Sequence, residues 1–205
     1  MIRLEIGDCR EVLKALPDNS IDIILTSPPF KDEDVDGDYW TFYDEFFKEA
    51  YRVSAKALII IHSATKMNEH IIRYPPKRTM IWGKGIICTA YRFNPIYIYQ
   101  KSDNYKVNKY IWCDVFGVPS IKGKEKTHPY QDPLLLYKTI LKMFKGCKSY
   151  CDPFIGSGTT IKAVKELENE SGEELYCLGI EKNPQYKELI LERTNQSLAC
   201  FEVGK

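Results

Sequence analysis

The chain has no run of 18 or more apolar residues, so no membrane-spanning helix is expected. Its opening, MIRLEIGDCR, places acidic residues among the first ten and has no apolar stretch of the kind a secretory leader needs; a cytoplasmic protein is expected. Histidine is scarce, with only His62, His70 and His128. The seven cysteines (Cys9, Cys88, Cys113, Cys147, Cys151, Cys177 and Cys200) are odd in number, irregularly spaced and without a CxxC pair. That pattern argues against a zinc site and a disulfide framework, and favours reduced, mostly buried thiols. A P-loop and a complete GxGxxG are both absent, as are repeats, low-complexity tracts and a recognisable linker.

What is present is enough apolar material, 44% of 205 residues, to bury a full core within a single domain covering residues 1–205. The formal net charge of +1 conceals an uneven distribution. Residues 1–65 carry 7 basic and 13 acidic side chains, a balance of −6; residues 66–148 carry 16 and 5, a balance of +11; the remainder stands at −4. A central third this basic suits a polyanion, although a solvated basic face reads the same way. Tyr105, Tyr110, Trp112 and Phe116 lie among those charges, and bases stack on such rings, which favours nucleic acid.

Strand and helix patterns alternate. MIRLEIG reads as a strand, Cys9 to Leu16 as a short helix, and IDIILT as a strand buried on both faces. Residues 38–53 have helical spacing, with the stripe Tyr39, Phe42, Tyr43, Phe46, Phe47 and Tyr51 expected in the core. ALIIIHS follows as a buried strand, TMIWGK and NPIYIYQKS as weaker ones. Pro133 to Phe144 reads as a helix with Pro133 in its first turn. KSYCDPF, a helix from about Thr159 to Leu167, the strand LYCLGIEKN and the helix PQYKELILERT complete the chain. The alternation predicts a mostly parallel, doubly wound α/β sheet.

Two turns carry chemistry. In DPFIGSGTT, residues 152–160, Gly156 and Gly158 permit positive φ and close approach of a ligand to the backbone, and the helix after them offers free N–H groups. Glu181 ends the next strand, where a carboxylate accepts hydrogen bonds from ribose hydroxyls. Alone, the glycine turn is equally a structural turn; with Glu181 it indicates a nucleoside-containing cofactor. In TSPPF, residues 26–30, two prolines remove backbone donors and leave carbonyls at the strand end. A hydroxyl and a carbonyl accepting the two N–H bonds of an aromatic amine favour a tetrahedral nitrogen, whose lone pair is then free to attack. Phe30 offers a stacking face. A base in a duplex reaches such a turn only when flipped out.

With these motifs in place, the chain resembles the amino-directed DNA methyltransferases of the permuted class, in which the catalytic motif precedes the cofactor motif. SPPF at 27–30 is similar to their S/D-P-P-Y/F tetrapeptide, and DPFIGSGTT to their cofactor loop. KTHPYQDPLLL at 126–136, Gly7-Asp8-Cys9 and GIEKNPQY at 179–186 resemble three further family segments, all in family order. The resemblance implies a Rossmann-like fold that binds S-adenosylmethionine, with circularly permuted motif order. It assigns Ser27, Pro28, Pro29 and Phe30 to the target base, and Asp152, Phe154, Gly156, Ser157 and Gly158 to the cofactor loop. Glu181 falls to the ribose, Asp8 and Cys9 to the adenine, and Lys126, Thr127 and His128 to the carboxylate. His128 is expected to be a hydrogen-bonding or structural residue rather than a base.

The implied activity is methyl transfer to an exocyclic amine in DNA. Cytosine N4 is favoured because Ser at the first tetrapeptide position is commoner in enzymes of that specificity, and adenine N6 is the runner-up. RNA or protein-amide methylation, and a non-catalytic binding module, are the alternatives. No large recognition domain is visible; 66–79 and 101–125 are the candidate regions for that role. A homodimer is expected for so small a chain.

Overall fold

The computed structural model describes residues 1–32, 35–84, 93–101, 114–121, 128 and 131–194. The expected basic and aromatic positions at 102–113, together with Lys126 and Thr127, lie outside the described residues.

Eight strands form one sheet: β1 (Ile2–Ile6), β2 (Ile21–Thr26), β3 (Ser54–Ile61), β4 (Arg78–Gly83), β5 (Phe93–Gln100), β6 (Val115–Gly117), β7 (Ser149–Asp152) and β8 (Tyr176–Glu181). Their spatial order is β1-β8-β7-β2-β3-β5-β4-β6. The first five in that order run parallel, and β5 is antiparallel to both β3 and β4. The helices are α1 (Cys9–Lys14), α2 (Tyr39–Val53), α3 (Met67–Arg73), α4 (Leu134–Lys142), α5 (Thr159–Ser171) and α6 (Lys187–Arg193).

The period of two along the strands builds a core on each face. Ile23, Leu25, Ile59 and Ile61 point to one side, where Ile140 of α4, Val164 of α5 and Ile190 of α6 cover them. Ile24, Leu58 and Ile60 point to the other, against Leu13 of α1 and Tyr43 and Phe46 of α2. Both faces being covered is why β2 and β3 read as continuous apolar runs rather than as alternating ones.

Several boundaries differ from the sequence expectation, each for a local reason. Pro133 is the residue preceding α4, with ψ of 132°, rather than a residue of its first turn. α3 and β6 were not anticipated. α3 is short, with His70 its buried residue, and β6 is three residues of edge strand. Neither is long enough to show a period. Phe116, expected among the base-stacking aromatics, is 4% exposed and sits in the core with its backbone paired to Trp82. Lys101, inside a candidate recognition region, instead donates to the Ser54 carbonyl at 2.7 Å and to Asn19 at 2.9 Å.

Candidate active site

The strand order explains how residues scattered from 8 to 181 converge. β1, β8, β7 and β2 are consecutive parallel neighbours, so their C-terminal ends lie along one sheet edge. Three inter-strand spacings separate the first from the last, about 14 Å at the usual spacing. Asp8 follows β1, Glu181 ends β8, Asp152 ends β7 and Ser27 follows β2. Crevices at the carboxyl ends of such strands are where open α/β sheets bind ligands. Here a cavity of about 830 Å³ is lined by Asp8, Cys9, Ser27, Pro28, Pro29, Phe30, His128, Asp152, Phe154, Gly156, Ser157 and Glu181. A volume in the range of several hundred cubic ångströms suits a nucleoside joined to an amino acid.

Asp8 caps α1, accepting from the Arg10 amide at 2.9 Å, and is ion-paired with the Arg10 guanidinium at 2.8 Å. That hydrogen bond with Arg10 holds its carboxyl below the usual range. Cys9 is buried, and desolvation pushes its thiol well up, so it is a packing residue rather than a nucleophile. Glu181 accepts from the Gly156 amide at 3.1 Å and the Asn183 amide at 2.8 Å. Burial raises its carboxyl all the same. The Lys182 amide is a third donor to the same carboxylate, and two carboxylate oxygens with about four lone-pair sites leave room for one more.

Gly156, at φ 51°, backs onto His128; a Cβ there would meet the imidazole at 3.3 Å. His128 is itself buried and packs edge-on to Tyr186, with ring centroids 4.3 Å apart. Phe154 packs against Phe42 and Phe46 of α2, with centroids 6.1 and 4.9 Å away. Phe42, expected as core, also lines the cavity, because the aromatic stripe of α2 is wide enough to reach its rim.

Gly158 is the exception among the loop residues. It does not line the cavity; it precedes α5 at φ 82°, and a Cβ would lie 2.9 Å from Thr194 Cγ2 and 3.3 Å from Ile190 Cγ2. Its requirement is packing between α5 and α6. Gly158→Ala is expected to cost about 2–4 kcal/mol, combining left-handed strain with the steric conflict, and equilibrium urea denaturation measures it. A loss under about 0.5 kcal/mol would contradict this packing role.

Asp152 is 2% exposed and serves as a cross-brace. It accepts from Thr26 of β2 at 2.6 Å, from Thr160 of α5, and from the Phe154 amide at 3.1 Å. Burial raises its carboxyl to about 6, against the pull of those three donors.

The SPPF turn is held from below. The Ser63 amide donates to His62 Nδ1 at 2.7 Å, which leaves the His62 proton on Nε2 facing Tyr39 Oη at 2.9 Å. Tyr39 in turn donates to the Pro29 carbonyl at 2.8 Å. Phe30 stacks on the His62 ring, with centroids 5.7 Å apart. Of the carbonyls in the turn, that of Pro29 is therefore already engaged. His62 and Tyr39 carried no motif signal; each reads in sequence as part of an apolar strand end or an aromatic helix face.

Asp132 was also unassigned. It is half-buried on the cavity wall, accepts from Tyr137 Oη at 3.1 Å, and has Ser27 beside it. Desolvation raises its carboxyl to about 6; Tyr137, Lys84 and Ser27 restrain the rise.

Residues 21–192 match the family described as DNA methylase, acting at N6 and N4. The chain is 27% identical over 246 aligned positions to the Type II methyltransferase M.HpaI of Haemophilus parainfluenzae, covering 98% of this chain and 76% of that one. TTHA0409 of Thermus thermophilus, crystallised with S-adenosyl-L-methionine, superimposes with a TM-score of 0.71 at 22% identity over all of both chains. The cytosine-N4-specific PvuII DNA methyltransferase gives 0.72 at 16% identity, covering 90% of this chain and 83% of its own. These likenesses establish the Rossmann-like methyltransferase fold. The cavity here, with Gly156 kept open against His128 and a carboxylate at the end of β8, has the size and lining to take a nucleoside joined to an amino acid. An enzyme with this cavity, these two turns in this order and this match along most of its length belongs to the N6/N4 DNA methylase family.

Proposed function

We propose that the protein methylates the exocyclic amine of a flipped base in DNA, cytosine N4 in preference to adenine N6. The observation that carries this reading is that the SPPF turn and the glycine loop with Glu181 open into one cavity. When bound, S-adenosylmethionine supplies an electrophilic methyl on a sulfonium sulfur. Ser27 Oγ and the Pro28 carbonyl accept the amine N–H bonds and free the nitrogen lone pair. Phe30, backed by His62, provides the stacking face. Tyr39 fixes the turn through Pro29. Glu181 holds ribose hydroxyls, while Phe154, Gly156 and Ser157 shape the wall beside the rest of the cofactor. Asp152, on the same wall, also braces the loop through Thr26, Thr160 and the Phe154 amide.

The preference for cytosine rests on Ser27, a neutral acceptor at the first tetrapeptide position, and on the likeness of SPPF to the family's cytosine-directed members. The four described cysteines, all free and buried, accord with a reducing cytoplasm.

Nucleoside mass spectrometry of unmethylated duplex DNA incubated with enzyme and S-adenosylmethionine tests the assignment. The expected product is N4-methylcytosine. Label in adenine N6 alone overturns the cytosine preference and leaves the amino-methyltransferase reading standing. Label at cytosine C5 overturns both, since that chemistry needs a cysteine nucleophile and Cys9, the one cysteine on the described cavity wall, is a buried thiol.

A further inference from the structure

A methylated amine carries a surplus proton, and nothing in the SPPF turn can take it: the Ser27 hydroxyl accepts hydrogen bonds but is no base at neutral pH. Five carboxylates line the cavity among the described residues: Asp8, Asp36, Asp132, Asp152 and Glu181. Asp8 is engaged by Arg10 and Asp36 by Lys182. Asp152 serves Thr26, Thr160 and the Phe154 amide. Glu181 ends β8, two strands away from β2 in the sheet, and holds the Gly156 and Asn183 amides. Asp132 alone adjoins Ser27, with Tyr137 Oη donating to its Oδ2 at 3.1 Å.

We propose that Asp132 is a catalytic residue, the acceptor that takes the proton released by the target amine, with Ser27 orienting the amine and Tyr137 orienting the carboxylate. The inference rests on the amino-methyltransferase reading above. The nitrogen lone pair forms the new N–C bond as the C–S bond breaks, and sulfur keeps that electron pair. The surplus proton on nitrogen then passes to Asp132, which becomes a neutral acid and returns the proton to water after the product leaves.

The groups facing Asp132 are Tyr137 from α4, Ser27 after β2, Lys84 after β4 and Asp152 from β7. Lys84 and the hydroxyls favour its ionised form; burial and the Asp152 charge disfavour it. Held up to about 6, it is ionised at neutral pH yet more basic than a solvated carboxylate, as suits an acceptor.

The test compares wild type with Asp132→Asn and Asp132→Glu in single-turnover methyl transfer to duplex DNA across pH 5–9, with cofactor affinity measured by calorimetry. Asp132→Asn should lower the transfer rate by about 100-fold or more, the scale of a general base, with cofactor affinity within about twofold of wild type. The wild-type rate should fall below about pH 6; that limb should vanish in Asp132→Asn and return, displaced in pH and with part of the rate, in Asp132→Glu. Independently of turnover, a carboxyl ¹³C resonance absent from Asp132→Asn should titrate near pH 6 in the wild type. This assigns the limb to Asp132 rather than to Asp152. An active wild type with Asp132→Asn within about twofold of its rate, or with an unchanged acid limb, overturns this inference alone. If Asp132→Asn does not fold, an Asp132→Glu variant that keeps the fold and shows no shift of the limb or the resonance overturns it equally. A wild type that methylates no DNA overturns the methyltransferase reading, and this inference with it.

Discussion

Asp152→Ala is expected to lose about 4 kcal/mol of stability at pH 7, and with it most cofactor binding. The carboxylate ties three pieces of chain that sequence separates: Thr26 at the end of β2, Thr160 in the first turn of α5, and the Phe154 amide within the loop. Alanine leaves two buried hydroxyls and an amide without that partner, at about 1–3 kcal/mol for each orphaned group. It also leaves the β7–α5 loop untethered where Gly156 and Ser157 line the cavity. Asp152→Asn keeps one acceptor oxygen and the volume, so its loss should be about half as large. The raised carboxyl adds a pH signature. Because the folded state takes up this proton near pH 6 and the unfolded state near 4, the wild type gains relative stability as pH falls through that window. The gap to Asp152→Asn should therefore widen by about 2 kcal/mol between pH 7 and 4.5. Urea denaturation at the two pH values measures both effects. An Asp152→Ala variant within about 1 kcal/mol of wild type would mean that the brace contributes little.

That network bears on how much of the site the chain discloses before it folds. The glycine loop, SPPF and Glu181 were legible because each is a local pattern at a strand end, and a parallel sheet brings strand ends together. The roles inside the loop were not. Asp152 and Gly158 stand in the cofactor motif, yet one braces β2, β7 and α5 while the other admits α6. Those partners, Thr26 and Thr194, are 126 and 36 residues away in the chain. No spacing rule reaches them. The same holds for Asp132 beside Ser27 and for His62 beneath Phe30, where burial and contact confer the role and the residue type alone does not. Among the elements, β2 and α2 were found to within a residue, while β3 was found by its apolar run and begins three residues earlier, at Ser54, where Ser54-Ala55-Lys56 carries no apolar signal. α3 and β6 were missed because seven and three residues carry too little periodicity to separate from loop. Phe116 misled because an aromatic among lysines reads alike whether it stacks on a base or fills the end of a sheet.

His70→Gln should change the acid stability of the protein in a way that isolates one buried imidazole. His62 and His70 are both fully buried, with ring centroids 5.0 Å apart, and desolvation lowers them to about 3 and about 2. The groups around His70 are neutral: Tyr97 stacked on it at 4.0 Å, Tyr99 hydrogen-bonded at 2.7 Å, Tyr43 and Tyr74 edge-on, and His62. No carboxylate among the described residues is hydrogen-bonded to it, so nothing compensates a charge there. The folded protein keeps both rings neutral while the unfolded chain protonates them near 6.5, so the unfolded state binds more protons below that pH. Their contribution is present in full above pH 6.5 and is lost as pH falls toward the folded values. At pH 4.5 each histidine has cost about 2.5 kcal/mol relative to pH 7. Asp132 and Asp152, raised to about 6, oppose this by about 2 kcal/mol each, so these four groups together leave a loss of about 1 kcal/mol over that range. Glutamine removes one ionising ring from the balance. His70→Gln should be less stable than wild type at pH 7, from lost packing against Tyr97. The difference should then shrink by about 2.5 kcal/mol at pH 4.5. Parallel curves for the two proteins between those pH values would show that His70 protonates in the folded state as readily as in the unfolded chain.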